Sequence, residues 1–397
     1  MAESPTLRRW RPLWFSYAVS ASGTSVASGI LPIIAILHLH ASAAQVSALA
    51  AISAVAGGVG GTLSARLFDR APRLAVLRWI QLFQCASLAV LLIVAAVGWL
   101  TFTHLVVVAA IQAAGFIAYA AGFNLHLKQS LEDDDLIVAT SRIEATTWTT
   151  QSIGPMLGGV LTSAVGPFLA VAIDALSFVA SALGLAKAKD DRQPRRGPNE
   201  RLGGGLPYIW RNDILRPLYL NAMTLGGGLL MASPLVALLM LRDLGLPAWQ
   251  YGLAVGLPAV AGLAGAFCAP RLHRALGQRR TLLFFGALRG PCLVPLALAP
   301  SGPAALWVIL GSQALLLFAA GVFNPTFATT RLQASSVDMI ARVSAAWSGS
   351  AKVVQPACIA LGGLIAAATS VRVALGAAAA LGVASVVALP WRRSSPD

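Results

Sequence analysis

The stretch that opens Ala120-Ala121-Gly122-Phe123-Asn124, passes Arg142 and Trp148, and closes on Gly154-Pro155-Met156-Leu157-Gly158-Gly159 occurs twice in this chain. About 200 residues later, Ala319-Ala320-Gly321-Val322-Phe323-Asn324 repeats its opening. Arg342 and Trp347 then answer Arg142 and Trp148, and Pro356 with Gly362-Gly363 answers Pro155 with Gly158-Gly159. The offset is close to half of the 397 residues, so the chain reads as two halves on one plan. In so apolar a sequence that plan predicts a duplicated membrane bundle, an architecture widespread among solute carriers.

Composition supports the membrane reading. The chain is 57% apolar and 11% charged, with a mean hydropathy of +0.74. Apolar runs long enough to cross a hydrocarbon core of roughly 30 Å recur from end to end. They lack the alternation of a membrane barrel, and in lipid a backbone must satisfy its own hydrogen bonds, so they are expected to be helices. The net charge of +14 does not point to nucleic acid, because most of the 29 Lys and Arg fall in the termini and in alternate loops. That is the asymmetry of a chain whose basic loops face the cytoplasm and its anionic lipid. Cys85, Cys268, Cys292 and Cys358 lie far apart in apolar runs and read as small buried hydrophobes.

Twelve spans are expected, at 12–38, 44–67, 75–98, 102–126, 137–165, 167–187, 214–241, 248–271, 280–299, 303–327, 342–368 and 371–391. The predicted fold is therefore an all-α integral membrane protein of 12 transmembrane helices in two pseudo-symmetric six-helix bundles. The first bundle is expected over 1–187, a cytoplasmic linker over 188–213 with an interfacial helix near Leu206–Trp210, and the second bundle over 214–397. An even number of spans and the distribution of Arg put both termini in the cytoplasm. Met1–Arg11 carries no cleavable-signal pattern, so the first span is expected to remain as an anchor.

Twelve spans, two halves and a basic central loop resemble the major facilitator superfamily. Gly154-Pro155-Met156-Leu157-Gly158-Gly159 is similar to the GPxxGG pattern of its antiporting members, and Asp69-Arg70-Ala71-Pro72-Arg73 to the loop between its second and third spans. Asp174-Ala175-Leu176-Ser177-Phe178, with Gly205-Leu206-Pro207-Tyr208-Ile209 and Ile214-Leu215-Arg216-Pro217, resembles the macrolide-efflux type of drug:proton antiporter. The resemblance implies a secondary active exporter of amphipathic small molecules in a plasma membrane, with a cavity lined by spans one, four, seven and ten, and the Arg-rich, Lys-poor, Ala-rich composition suggests a bacterial genome. It implies proton antiport with alternating access, no cofactor and no metal, and a monomer. Two departures stand out: Ala65 replaces a glycine before the Asp-Arg pair, and Thr24 stands where many members carry an acid after Ser20-Ala21-Ser22-Gly23.

The candidate residues follow from chemistry and from that resemblance together. Asp69, Arg70 and Arg73 are gating candidates, able to exchange charge-assisted hydrogen bonds at a cytoplasmic helix end, or else simply a solvated basic loop. Arg142, Arg342, Gly154, Pro155, Gly158 and Gly159 join them, the glycines because they let another helix approach closely. Asp174 lies roughly 10 Å into the sixth span at helical rise. It is either a proton carrier or a structural acceptor for Ser177 and Ser181. Glu144 is either a second coupling acid or half of a helix-start ion pair. Lys352, near mid-depth, either lines a wet cavity or pairs with a carboxylate. Asn124, Trp148, Gln151, Asn324 and Gln355 are further cavity candidates, interhelical hydrogen bonding and interfacial placement being the alternatives. No Walker A, HExxH or GxSxG pattern occurs, so neither ATP hydrolysis nor an enzyme activity is expected. Importing a polar metabolite, or acting as a membrane scaffold or sensor without transport, are the rival readings.

Overall fold

The structure, a computed structural model, describes residues 5–68, 72–131, 133–187, 204–302 and 304–391. The first half contains α1 (Pro5–Val26), α2 (Ile30–Ile33) with a π-helical turn at Ile34–His38, α3 (Ala43–Phe68), α4 (Arg73–Ala96), α5 (Phe102–Ser130), α6 (Asp133–Ala164) and α7 (Pro167–Lys187). The short α8 (Gly205–Arg211) precedes α9 (Leu215–Leu238), which runs into a second π-helical turn at Leu239–Asp243. There follow α10 (Ala248–Gly256), α11 (Pro258–Leu276), α12 (Gln278–Arg289), α13 (Val294–Ala297), α14 (Ala304–Gln333), α15 (Ile340–Ala368) and α16 (Val371–Val387).

Among the described residues, helices fill each of the twelve predicted spans and no strand occurs. Nine spans are long and apolar enough to cross a membrane on length and composition alone. The other three have visible reasons for falling short. The first half of α6 is acidic and threonine-rich, the ninth span breaks at Gly290-Pro291 between α12 and α13, and α16 has only 17 residues. Caps end the helices where the sequence turns polar: Asn212 Oδ1 accepts from the N–H groups of Ile214 and Leu215 at 2.9 Å, starting α9.

The distribution of side chains is that of a molecule solvated by hydrocarbon. Phe83, Phe267 and Trp307 are 63%, 70% and 72% exposed, while Asp174 and Arg289 are only 4% and 8% exposed. Water would favour the reverse arrangement.

The helices gather into two compact units, and each unit takes in a short piece from the other half of the sequence. Pro247–Gly256 belongs with the first unit and Ser42–Ala51 with the second. In the first unit α6 is gripped on two sides through its glycines. A Cβ on Gly158 would collide with the carbonyl oxygen of Val26 in α1. One on Gly159 would stand 2.7 Å from the carbonyl oxygen of Ala248 and 3.0 Å from Cα of Gly252, both in α10. Gly252 in turn abuts the carbonyl oxygen of Pro155, and the N–H of Trp249 donates to Ser163 Oγ at 2.9 Å. The second unit repeats the device on α15. Gly362 is closed on one side by Met231 of α9, and Gly363 on the other by Ser47 in the first turns of α3. Close approach at glycine, against backbone on α6 and against side chains on α15, is how membrane helices gain dispersion contacts where lipid removes any hydrophobic driving force.

The helix expected near Leu206–Trp210 is present as α8, seated on the second unit. Gly205 fits against the carbonyl of Arg342, and Asn212 Nδ2 donates to the carbonyl of Ala334 at 3.0 Å. The N–H of Ser336 donates to the Tyr208 hydroxyl at 3.1 Å, and hydrogen bonding to Ser336 draws that phenol below its ordinary range. Arg216 lies over the Trp210 ring at 5.3 Å. The rest of the expected linker, 188–203, lies outside the described residues, as do Asp69 and Arg70.

Candidate functional site

The first unit contains a buried polar centre where α1 crosses α7. Gly23 permits the crossing, since a Cβ there would overlap Ser177 and lie 3.3 Å from Cα of Asp174. Thr24, the next residue, then donates from Oγ1 to Asp174 Oδ1 at 3.0 Å. Ser177 Oγ donates to the Asp174 carbonyl at 2.8 Å and reaches Oδ1 at 3.5 Å. The threonine that departs from the resembled pattern thus faces the buried acid of the sixth span. Ser181, the other expected partner, is engaged elsewhere. It shares a 2.8 Å hydrogen bond with Ser16 Oγ and accepts another from Gln81 Nε2 at 2.8 Å, while Gln81 Nε2 also reaches Ser20 Oγ at 3.0 Å.

A third polar group joins α4 to α5. Gln84 Nε2 donates to Gln112 Oε1 at 3.0 Å, and Gln112 Nε2 donates to the Gln84 carbonyl at 3.0 Å and to Ser87 Oγ at 2.9 Å. Two cavities open beside these groups. The smaller, of about 70 Å³, is bounded by Tyr17, Ser20, Gln81, Thr147, Thr150 and Gln151 among others. The larger, of about 260 Å³, has Ile30, Leu31, Leu88, Gln112, Val171 and Asp174 in its wall. Thr24, Gln84 and Phe116 line both.

The second unit has a counterpart to the Gln81 knot, built around a cation. Arg289, at the end of α12, donates from Nη2 to Asn221 Oδ1 of α9 at 3.2 Å, and Asn221 Nδ2 donates to the Ser385 carbonyl of α16 at 2.8 Å. Its guanidinium lies 3.5 Å from the centroid of the Phe323 ring. Both knots therefore tie the third helix of a half to its first and sixth, directly through Gln81 in the first and by way of Asn221 in the second. Replacing Asn221 by Leu removes the acceptor and is expected to cost about 2–3 kcal/mol, read as a lowered melting temperature of the purified protein. Arg289→Lys is expected to lower it as well, because an ammonium loses the planar stack on Phe323.

The other sequence candidates divide between the two units. Gln151 lines the smaller cavity together with Thr147 and Thr150, and Tyr17 hydrogen-bonds Thr147 Oγ1 at 2.7 Å. Trp148 is half-buried, and Asn124 and Glu144 are exposed on α5 and α6. In the second unit Asn324 and Lys352 are exposed, and Lys352 has no ion pair among the described residues. Gln355 Nε2 lies 3.4 Å from where a Cβ on Gly226 would be. Arg73 is buried, Arg142 half-buried and Arg342 exposed, its carbonyl closing on Gly205. Among the described residues no three His, Cys, Asp or Glu side chains gather as metal ligands would. The glutamines Gln81, Gln84 and Gln112 were not among the candidates. The signal in the sequence is that each interrupts an apolar run.

The family model of the Major Facilitator Superfamily matches residues 13–353. The chain belongs to the major facilitator superfamily. It is a non-enzymatic multi-pass membrane transporter of that superfamily. Comparison with curated proteins found no match. Solved structures share the fold. A bacterial homologue of the iron transporter ferroportin in its inward-facing state has a TM-score of 0.78 at 19% identity, with 98% of this chain and 100% of that one covered. The nucleoside transporter NupG follows at 0.71 and 13%, covering 97% and 99%. The POT family transporter PepTSo stands at 0.76 and 12%, covering 97% of each. Identities this low carry the fold and leave the cargo open.

Proposed function

We propose that this major facilitator protein is a proton-driven exporter of small amphipathic molecules, working by alternating access in a bacterial plasma membrane with both termini cytoplasmic. The observation that carries the reading is the Asp174 carboxylate, buried against Thr24 and Ser177 beside a cavity. A carboxylate at that depth costs several kcal/mol as an anion unless a partner neutralises it, and a proton is the simplest partner. It is therefore the proton carrier, and the polar cluster that holds it is the coupling site. The GPxxGG glycines, together with Asp69, Arg70, Arg73, Arg142 and Arg342, serve as gating elements. The larger cavity suits a small cargo, being below the ~300–1,000 Å³ usual for drug-sized ligands.

Inside-out vesicles from bacteria lacking their own pumps test direction and driving force together. With an acidified lumen, a small amphipathic fluorophore without an ionisable amine is expected to accumulate in vesicles carrying the protein and not in vesicles without it, and nigericin is expected to release it. Accumulation indifferent to the pH gradient would remove the coupling. The importer reading gains one specific support, Lys352, exposed on α15 and suited to an acidic solute. Uptake of a labelled carboxylate by intact cells that depends on Lys352 would favour it over export.

A further inference from the structure

We infer that the larger cavity of the first unit is a binding site for a small lipophilic monocation, a quaternary ammonium or protonated amine bearing one or two aromatic rings, with Asp174 as its counter-charge. The inference deepens the exporter reading by naming the cargo of the same site, and it rests on that reading for the direction of transport alone.

The wall chemistry selects the ligand. Among the described residues lining the two cavities, Asp174 is the only charged side chain, and no Lys or Arg is present to neutralise it. Its Oδ1 accepts from Thr24 and Ser177, while Oδ2 has no hydrogen bond among the described residues. Gln84 spends its amide N–H on Gln112, which leaves Gln84 Oε1 as a second acceptor without a donor among those residues. The cavity thus offers acceptors and one negative charge, the complement of a cation. Phe116 contributes an aromatic face at the junction of the two cavities, and Ile30, Leu31, Leu88 and Val171 supply apolar walls. An aromatic face attracts a cation most strongly where water is scarce. A volume of about 260 Å³ admits one or two rings and excludes a macrocycle.

One anionic charge can be neutralised once. A bound monocation and a proton on Asp174 are then mutually exclusive, and exchanging one for the other moves no net charge across the membrane. Transport should follow the pH gradient and ignore the membrane potential. The other titratable groups lining the two cavities are the phenols of Tyr17 and Tyr119, across the smaller one. The short α2 contributes none. Arg142 and Glu144 of α6 precede Thr147, the first residue of that helix in the wall of the smaller cavity, by about one turn.

The test is binding of radiolabelled 1-methyl-4-phenylpyridinium, a permanent cation, to the full chain in detergent between pH 5.5 and 8.5. A neutral biaryl amide of similar size and Mn²⁺ are the comparison probes. Affinity is expected to fall about tenfold for each pH unit below the titration of Asp174, with one proton released per cation bound. Asp174→Asn should abolish binding while the melting temperature is kept, and Phe116→Leu should weaken it severalfold. Proton release by the unmodified protein needs no variant, so a misfolded mutant cannot hide the answer. Affinity independent of pH, equal binding of the neutral amide, or Mn²⁺ bound at Asp174 in place of the organic cation would each overturn the proposal. If the cation binds as described yet no gradient drives it into inside-out vesicles, the exporter reading fails and the site stands. If the gradient drives a neutral cargo and the cation does not bind, the site fails and the exporter stands.

Discussion

Asp174→Asn eliminates gradient-driven transport, with the initial rate in acid-loaded inside-out vesicles falling at least tenfold. The reasoning is local. Asparagine keeps an oxygen for Thr24 to donate to at the position where Oδ1 now accepts at 3.0 Å, so α1 and α7 remain pinned. What disappears is the ability to bind and release a proton, and with it the response to pH. Asp174→Glu restores a titratable group one methylene longer and is expected to recover part of the rate. A rate in Asp174→Asn that still tracks the pH gradient would move coupling to another group. Glu144, exposed on α6, is the first alternative to replace.

Gly158→Ala is expected to destabilise the protein by about 1–3 kcal/mol and to suppress transport even where the folded protein survives. The added methyl would meet the Val26 carbonyl, and a backbone oxygen cannot step aside as a flexible side chain does. Gly252→Ala should do the same from the opposite side, against the Pro155 carbonyl. Gly311 and Gly349 supply the control, because nothing among the described residues lies within 4 Å of a Cβ at either. There alanine should be neutral or stabilise the helix by about 0.5–1 kcal/mol through the unfolded state's lost entropy. The opposite sign at two glycine pairs separates close packing from simple helix propensity. Melting curves in detergent for the four variants, alongside vesicle transport, measure both.

The helices were legible because hydrophobic length and Gly-Pro punctuation are local properties of a sequence. The small residues at 154, 158 and 159 were legible for the same reason, since a helix face of glycines announces close approach without naming what approaches. Partners were harder to read. Thr24 and Asp174 lie 150 residues apart, and nothing near Thr24 foretells that it will donate to the sixth span. Ser181 failed as an Asp174 partner because Ser16 and Gln81 had already claimed its hydroxyl, a competition invisible without the fold. The break at Gly290-Pro291 was written in the sequence, yet the apolar run around it reads as one continuous span. Least legible was the assignment of Pro247–Gly256 to the first unit. A repeat suggests two self-contained halves, and only the seating of α10 on α6 shows that a helix from the second half completes the first.

That seating has a consequence for biogenesis. The first unit stays unfinished at the ribosome until Gly256 has emerged and been inserted, well past the midpoint of synthesis. Until then the glycine face of α6 lies bare to lipid or to whatever insertion chaperone shields it. A gene split within the central linker should for that reason yield two fragments that accumulate only when made together.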